Sequence, residues 1–126
     1  MRGIQFVKKN ANLEHQIQKA ILEYLQYYGI MAWRMNSGRA WATNRSTGNQ
    51  YMLMLGPGGI PDIIGVIGPK FRNKSLAGKF IGVEVKQPGK KATDLQERFI
   101  NDLKEHGAIV NVIHSIEELQ IWLKTL

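Results

Sequence analysis

A short strand-like segment that carries two charges on one face constrains the fold of this chain more than any other feature. Residues 80–86 read Phe-Ile-Gly-Val-Glu-Val-Lys, so the apolar residues Ile81, Val83 and Val85 alternate with Glu84 and Lys86. Because successive side chains of a strand point to opposite faces, this pattern predicts one apolar face and one face with two adjacent charges. The apolar face can pack on a helix while the two charges share one site.

The remaining periodicities place this strand in an α/β chain. A first helix is predicted over residues 12–28, with Asn12 as its N-cap and Gly29 at its end. Two capping-box sequences begin later helices, one from Thr93 to Gln96 and one from Ser115 to Glu118. Residues 36–50 are predicted to be a loop or hairpin tip. Strands are predicted at residues 30–35, 51–55, 62–67, 80–86 and 108–113. The order α-β-β-β-β-α-β-α predicts an α/β fold: a mixed β-sheet flanked by helices, with a parallel crossover between the last two strands.

Length and composition favour one compact domain that is rich in positive charge. The chain has 126 residues, a formal net charge of +7 and no cysteine, which excludes disulfides and thiolate zinc sites. We expect a single domain over residues 1–126, with its core at about 12–123. No acidic residue lies between Glu23 and Asp62, or between Asp62 and Glu84. This charge balance favours an anionic partner, either nucleic acid or an acidic membrane surface.

Basic and aromatic residues in the polar segments are the candidate nucleic-acid contacts. Trp41 lies in the polar loop among arginines and is the better candidate for stacking on a base, whereas Trp33 and Tyr51 are expected to be core or half-buried strand residues. The predicted nucleic-acid-binding residues are Arg34, Arg39, Trp41, Arg45, Lys70, Arg72, Lys74, Lys90 and Lys91.

Asp62 and Glu84 form the candidate metal site. Asp62 follows a turn of residues 56–61, Gly-Pro-Gly-Gly-Ile-Pro, at the start of a strand. If this strand neighbours residues 80–86, the two carboxylates can converge on a hard cation such as Mg²⁺ or Mn²⁺. Lys86 would then place a positive charge near an attacking water or a phosphate oxygen. Taken singly, Glu84 and Lys86 fit a solvated ion pair and Asp62 fits a turn residue, so the assignment depends on their combination.

Two further residues are candidates for the same site. Glu14 shares the inward stripe of the first helix with Ile17 and Ile21, and an inward carboxylate needs a partner, although an acid in a first helical turn is also favoured by the helix dipole. Gln96 is explained by the capping box, yet its helix directly follows the strand that holds Lys86, and both interpretations stay open.

The combination of these residues resembles the PD-(D/E)xK nucleases, and in particular their VRR-NUC branch, the virus-type replication-repair nucleases. Pro61-Asp62 is followed by 21 residues and then by Glu84-Val85-Lys86. The flanks agree: Glu14 in the first helix, residues 59–65 (Gly-Ile-Pro-Asp-Ile-Ile-Gly), and Thr93-Asp-Leu-Gln96 followed by Phe99. The resemblance extends from about residue 12 to residue 123.

The resemblance implies a fold, an activity and a cofactor. It implies a restriction-endonuclease-like core, with Mg²⁺ or Mn²⁺ held by Asp62, Glu84 and the backbone carbonyl of Val85. It implies that Lys86 orients or polarises the attacking water and that Glu14 and Gln96 complete the site, with Glu14 as a further metal ligand.

The resemblance also implies a partner and a location. Similar stand-alone members belong to phages and prophages, and some act as homodimers on branched DNA, including four-way junctions. We therefore expect a metal-dependent DNA nuclease in the cytoplasm of a bacterial or phage-infected cell; the sequence shows neither a signal peptide nor an apolar run long enough to span a bilayer. The alternatives are a non-catalytic nucleic-acid-binding module with this fold and a small basic RNA-binding or ribosome-associated protein.

Overall fold

The computed structural model describes residues 2–35, 39–54 and 56–126, with side chains for 13–35, 40–53 and 56–126. Its helices are α1 (Arg2–Tyr27), α2 (Asp94–Glu105) and α3 (Ile116–Thr125). Its strands are β1 (Ile30–Arg34), β2 (Arg39–Thr43), β3 (Gln50–Met54), β4 (Ile63–Ile67), β5 (Phe80–Val85) and β6 (Ile109–Ile113). The predicted α/β class and the order of elements are confirmed, with β2 as an additional strand inside the segment predicted to be a loop or hairpin tip.

Four of the strands form the mixed sheet that the sequence predicts. The strand order is β1-β4-β5-β6, in which β1 and β5 run antiparallel to β4 and β6 runs parallel to β5. The parallel pair confirms the predicted β-α-β crossover through α2. Strands β2 and β3 form a separate antiparallel hairpin. At its tip, the Asn44 side chain accepts hydrogen bonds from the backbone N–H groups of Ser46 and Thr47.

Helices cover both faces of the four-stranded sheet. On one face, Ile21 and Leu25 of α1 and Leu119 of α3 join the alternate β5 residues Val83 and Val85 in one apolar core. The opposite face carries Glu84 and packs against α2, which contacts β6 and places Ile100 in a buried position. The predicted alternation of β5 is thereby confirmed, and it separates an apolar core from a polar site within a single strand.

The helix ends follow the capping signals at α2 but differ at the other two helices. Thr93 and Gln96 form the predicted capping box. At α3, the Ser115 side chain accepts from the Glu118 N–H as predicted, but the Glu118 carboxylate accepts from the backbone N–H of His114. Helix α1 begins at Arg2, so the predicted N-cap at Asn12 is wrong. An asparagine with helix-forming neighbours on both sides is tolerated in a helix interior at a small cost in propensity.

The strand directions decide which loops share an end of the sheet. Asp62 precedes β4 and Glu84 is near the end of β5, and because these strands are antiparallel, both residues lie at the same end, here called the site end. The end of β1, the end of β6 and the segment 87–92 also lie at the site end. Residues 68–79, which connect β4 to β5, lie at the opposite end, about 14 Å away along the strands.

Candidate active site

Strand register brings the two predicted carboxylates together. In the β4–β5 ladder Ile63 pairs with Val83, so one further step places Asp62 opposite Glu84. Directly opposed residues of an antiparallel pair point to the same face with their Cβ atoms about 5 Å apart. The ladder itself ends at Ile63, where the Asp62 side chain replaces the next backbone partner: its Oδ2 accepts the Val85 N–H at 2.9 Å. This hydrogen bond fixes the Asp62 carboxylate across the end of β5.

Glu84 is the buried member of the pair. Its side chain is 2% exposed, and its Oε1 accepts a hydrogen bond from Gln96 Nε2 at 2.9 Å. Lys86 Nζ lies 3.8 Å from the same Oε1. Among the described residues, Oε2 of Glu84 is the one buried side-chain nitrogen or oxygen without a hydrogen-bond partner. A buried polar atom without a partner is costly in a folded protein, so this oxygen points to a ligand that contacts it.

Burial and the neighbouring Asp62 control the charge of Glu84. Removal from water and the negative charge of Asp62 raise the pKa of Glu84 to about 8, against the opposing effect of the Lys86 ammonium group. This shift favours one proton held within the Glu84–Asp62 pair at neutral pH. A divalent cation would replace this proton, because it neutralises both carboxylates at once.

Gln96 has both roles that the sequence left open: it caps α2 and it contacts the site. Its side-chain oxygen accepts the backbone N–H of Thr93 at 2.9 Å, which completes the capping box. Its side-chain nitrogen donates to Glu84. The N-terminus of α2 is thereby connected to the buried carboxylate, and capping and site assembly use the same amide group.

The turn before Asp62 packs directly on α2. Gly59 has φ +87°, and a Cβ at this position would lie 2.7 Å from the Leu95 carbonyl oxygen. Only glycine satisfies both conditions, since it tolerates positive φ and has no Cβ. Gly82 lies beside Glu84 on β5, and a Cβ there would meet Pro61 at 3.2 Å. Small residues thus allow the turn, the strand and the helix to converge at the two carboxylates.

The donor set suits a hard cation. Asp62 Oδ2 and Glu84 Oε1 each accept an N–H hydrogen bond, and Glu84 Oε2 is left for another ligand. Carboxylate oxygens, a backbone carbonyl and water are the ligands that Mg²⁺ and Mn²⁺ take in proteins. The Val85 N–H donates to Asp62 and the Gln96 NH₂ group donates to Glu84. Hydrogen bonds of this kind typically hold metal ligands in place.

A family model for the VRR-NUC domain matches residues 12–117. The chain belongs to the VRR-NUC domain family. No curated protein and no solved structure matches the chain. The VRR-NUC assignment makes the chain a member of a nuclease family and confirms the resemblance on which the restriction-endonuclease-like fold was predicted.

Glu14 lies apart from the carboxylate pair of this VRR-NUC domain. It is half-buried on α1, and α1 covers the sheet face opposite to the one that carries Glu84. Within the described part of the chain, no three histidine, aspartate or glutamate side chains are grouped closely enough to share one ion. Asp62 and Glu84 are brought together, and the role of Glu14 stays a prediction.

The predicted nucleic-acid contacts divide between the two ends of the sheet. Arg34, Lys90 and Lys91 lie at the site end, and Arg34 borders a groove of about 270 Å³ that is also lined by His15 and Lys19. Lys70, Arg72 and Lys74 lie at the opposite end. There the Arg72 guanidinium donates to the carbonyls of Leu123 and Lys124 at the end of α3, and Lys74 donates to the Pro69 carbonyl.

The β2–β3 hairpin presents the predicted stacking residue. Trp41 is 67% exposed and pairs with the exposed Met52 across the hairpin. Trp33 and Tyr51 are strand residues that are 42% and 49% exposed, so they match the half-buried alternative and lie outside the described apolar core. Arg45 lies in the hairpin turn, and the side chain of Arg39 is outside the described residues.

A histidine that sequence reasoning passed over organises the loop at the site end. The His114 ring lies 2.9 Å from Glu118 Oε2 through Nδ1 and 2.7 Å from the Lys90 carbonyl through Nε2. Hydrogen bonds to the Lys90 carbonyl and to Glu118 raise the pKa of His114. Because both partners are acceptors, the doubly protonated ring satisfies them together. Nothing in the spacing of His114 along the chain indicates this contact, which joins segments 24 residues apart.

Finally, no helix in the described parts of this VRR-NUC domain combines the length and apolarity that crossing a membrane requires.

Proposed function

We propose that this VRR-NUC domain is a Mg²⁺- or Mn²⁺-dependent DNA endonuclease that cleaves phosphodiester bonds in branched DNA such as four-way junctions. The observation that carries the proposal is the buried Oε2 of Glu84, which has no hydrogen-bond partner and lies in the site that Glu84 shares with Asp62. The family membership supports nuclease chemistry, and the net charge of +7 supports a polyanionic substrate.

Asp62, Glu84 and the Val85 carbonyl would hold the ion. When bound, the ion would polarise the phosphate and lower the pKa of a coordinated water. The Val85 N–H orients Asp62, and Gln96 orients Glu84, so both carboxylates are positioned before the substrate arrives. Such pre-organisation matters because hydrolysis is sensitive to displacements of about 1 Å at the reacting groups.

Lys86 supplies the positive charge of the site. Its ammonium group lies 3.8 Å from Glu84 Oε1, and its side chain is 19% exposed, so it faces both the carboxylates and the solvent that DNA would displace. We propose that it stabilises the attacking hydroxide or the charge that develops on the phosphate.

The proposed role of Glu14 as a further metal ligand is tested separately with Glu14→Gln, which keeps the size of the side chain and removes its charge.

We propose that residues at the site end of the sheet contact the DNA backbone. Arg34 lies beside the basic groove on α1, and Lys90 and Lys91 lie on the loop that leads from β5 to α2. The hairpin adds Trp41 and Arg45 for stacking and phosphate contact. Lys70, Arg72 and Lys74 lie at the opposite end of the sheet and would contact only a longer or branched substrate.

The test compares cleavage of labelled four-way junction, flap and linear duplex DNA in Mg²⁺, Mn²⁺ and EDTA. We expect the wild type to cleave the branched substrates only with metal, and Lys86→Ala to lose at least about 100-fold in rate, because one electrostatic contact to the transition state is removed. Lys104→Ala is the matched control, since Lys104 is an exposed lysine near the end of α2. Equal rates for the wild type and Lys86→Ala would refute the assignment of Lys86.

The alternatives give different outcomes in the same experiments. A non-catalytic binding module would retain junction DNA without cleavage, and calorimetry would show no Mn²⁺ binding that depends on Asp62 and Glu84. An RNA-binding protein would bind RNA tightly in EDTA. The proposed homodimer suits a junction with two-fold symmetry, and light scattering with and without junction DNA measures the number of chains.

A further inference from the structure

We propose that Thr93 is a positioning residue of the active site, because its backbone N–H fixes the Gln96 amide in the orientation that donates to Glu84. This inference rests on the proposed function for its effect on metal binding. The hydrogen-bond relay itself, from Thr93 through Gln96 to Glu84, can be measured without metal or DNA.

Hydrogen-bond chemistry determines the orientation of the Gln96 amide. A backbone N–H can only donate, so the Gln96 atom that lies 2.9 Å from the Thr93 nitrogen must be the carbonyl oxygen, Oε1. The other end of the amide is then the NH₂ group, which lies 2.9 Å from Glu84 Oε1 and donates to it. If the amide were reversed, two donors would face each other at Thr93 and an oxygen would face the Glu84 carboxylate.

The Thr93 N–H is available for this purpose because of its place in the helix. At an N-cap position the backbone N–H makes no helical hydrogen bond, and in a capping box it is satisfied by the side chain at the third helical position. Thr93 has an extended backbone, with φ −71° and ψ 164°, and its hydroxyl separately accepts the Gln96 N–H at 3.3 Å. Thr93 therefore makes two distinct contacts with Gln96, one to its backbone and one to its side chain.

The two contacts have different consequences. The hydroxyl contact stabilises the start of α2, as any N-cap does. The N–H contact selects one of the two orientations of the Gln96 amide, and through it holds Oε1 of the 2%-exposed Glu84 while Oε2 stays open. Loss of the N–H contact should therefore affect ion binding, whereas loss of the hydroxyl contact should affect only helix stability.

Two substitutions separate the contacts. Thr93→Ala removes the hydroxyl and keeps the N–H, whereas Thr93→Pro removes both, and the observed φ of −71° is one that proline adopts without strain. Isothermal calorimetry with MnCl₂ measures ion affinity, and thermal unfolding in EDTA measures stability. We expect both variants to melt below the wild type. Only Thr93→Pro should bind Mn²⁺ about 10-fold more weakly, because affinity usually falls by this amount when a hydrogen bond that orients a metal ligand is lost.

Nuclear magnetic resonance of the metal-free protein gives a second test that does not need Thr93→Pro to fold. In the wild type and in Thr93→Ala, the Gln96 side-chain NH₂ should exchange slowly with water, whereas the exposed Gln26 exchanges rapidly. In Gln96→Met, the Thr93 backbone N–H should lose its protection from exchange.

Each result has a definite meaning. Equal Mn²⁺ affinities of Thr93→Pro and Thr93→Ala, or a Gln96 NH₂ that exchanges as rapidly as that of Gln26, would overturn the inference. Absence of Mn²⁺ binding by the wild type would contradict the proposed function. A protected Gln96 NH₂, together with a Thr93 N–H that loses its protection in Gln96→Met, would still establish the relay.

Discussion

Replacing Glu84 by glutamine tests whether the active site is assembled at the expense of stability. The folded protein raises the pKa of Glu84 to about 8 from the ordinary value of 4.5, so the native state binds this proton more tightly than the unfolded state. The contribution of Glu84 to stability is then most favourable below pH 4.5. It is lost progressively as the pH rises to about 8, because unfolding releases the proton over this range.

The magnitude follows from the same values. Between the ordinary pKa of 4.5 and pH 7, native Glu84 keeps its proton while unfolded Glu84 loses it. Over these roughly 2.5 pH units, Glu84 therefore lowers the free energy of unfolding of the wild type by about 3 kcal/mol. Glu84→Gln has nearly the same shape and no titrating proton, and its carbonyl can still accept from Gln96. We therefore expect this substitution to raise the free energy of unfolding by about 3 kcal/mol at pH 7 and by less than about 1 kcal/mol at pH 5.

Urea unfolding in EDTA at pH 5, 6, 7 and 8 measures this difference. Glu97→Gln is the control, because Glu97 is exposed on α2 and its substitution should change stability little at any of these pH values. With Mn²⁺ added, the wild type should gain stability by mass action and Glu84→Gln should not. A Glu84→Gln variant that is less stable than the wild type at pH 7, or whose difference does not grow with pH, would refute the reasoning.

The other predictions concern the parts around the site. His114→Gln should lower the free energy of unfolding most below pH 6.5, where the unfolded histidine is also protonated, and the difference from wild type should shrink as the pH rises through the raised pKa of His114. Urea unfolding from pH 5.5 to 8.5 checks this, and a constant difference would contradict it. Gly59→Ala should destabilise the protein by more than about 1 kcal/mol, since its Cβ meets the Leu95 carbonyl oxygen at 2.7 Å. Gly48→Ala, at φ +74° in open space, is the matched control and should cost less. Affinity for DNA in EDTA should fall steeply between 50 and 200 mM salt, on the order of 1000-fold if six phosphates are contacted; a flat salt dependence would argue against the basic surface.

Local periodicity was sufficient to predict the parts of the fold that depend on neighbours in sequence. The alternation at residues 80–86 predicted that Val83 and Val85 face a core and that Glu84 does not, and both are observed. The capping box at Thr93 and Gln96 predicted the start of α2. The α1 start at Arg2 and the additional strand β2 were not predicted, since capping residues and polar turn residues also occur inside regular elements.

The site itself was predicted only in outline. The sequence named Asp62, Glu84 and Lys86 as a group, but their meeting depends on the antiparallel pairing of β4 with β5. An inward stripe on α1 was also correctly read for Ile17 and Ile21, which pack in or against the core. The stripe could not show that α1 covers the sheet face opposite to Glu84, because helical periodicity indicates that a face is buried and not what buries it.

What the sequence determined by itself is therefore the chemistry that is available: two carboxylates and a lysine, on strands with one apolar face, followed by a capped helix. What only the tertiary structure decided is how that chemistry is arranged. Burial and the proximity of Asp62 raise the pKa of Glu84, the Thr93 N–H and Gln96 orient its carboxylate, and strand direction separates the basic residues of 68–79 from the site. The physical reason is that desolvation, register and hydrogen-bond direction arise from contacts between residues far apart in the chain, which local patterns do not specify.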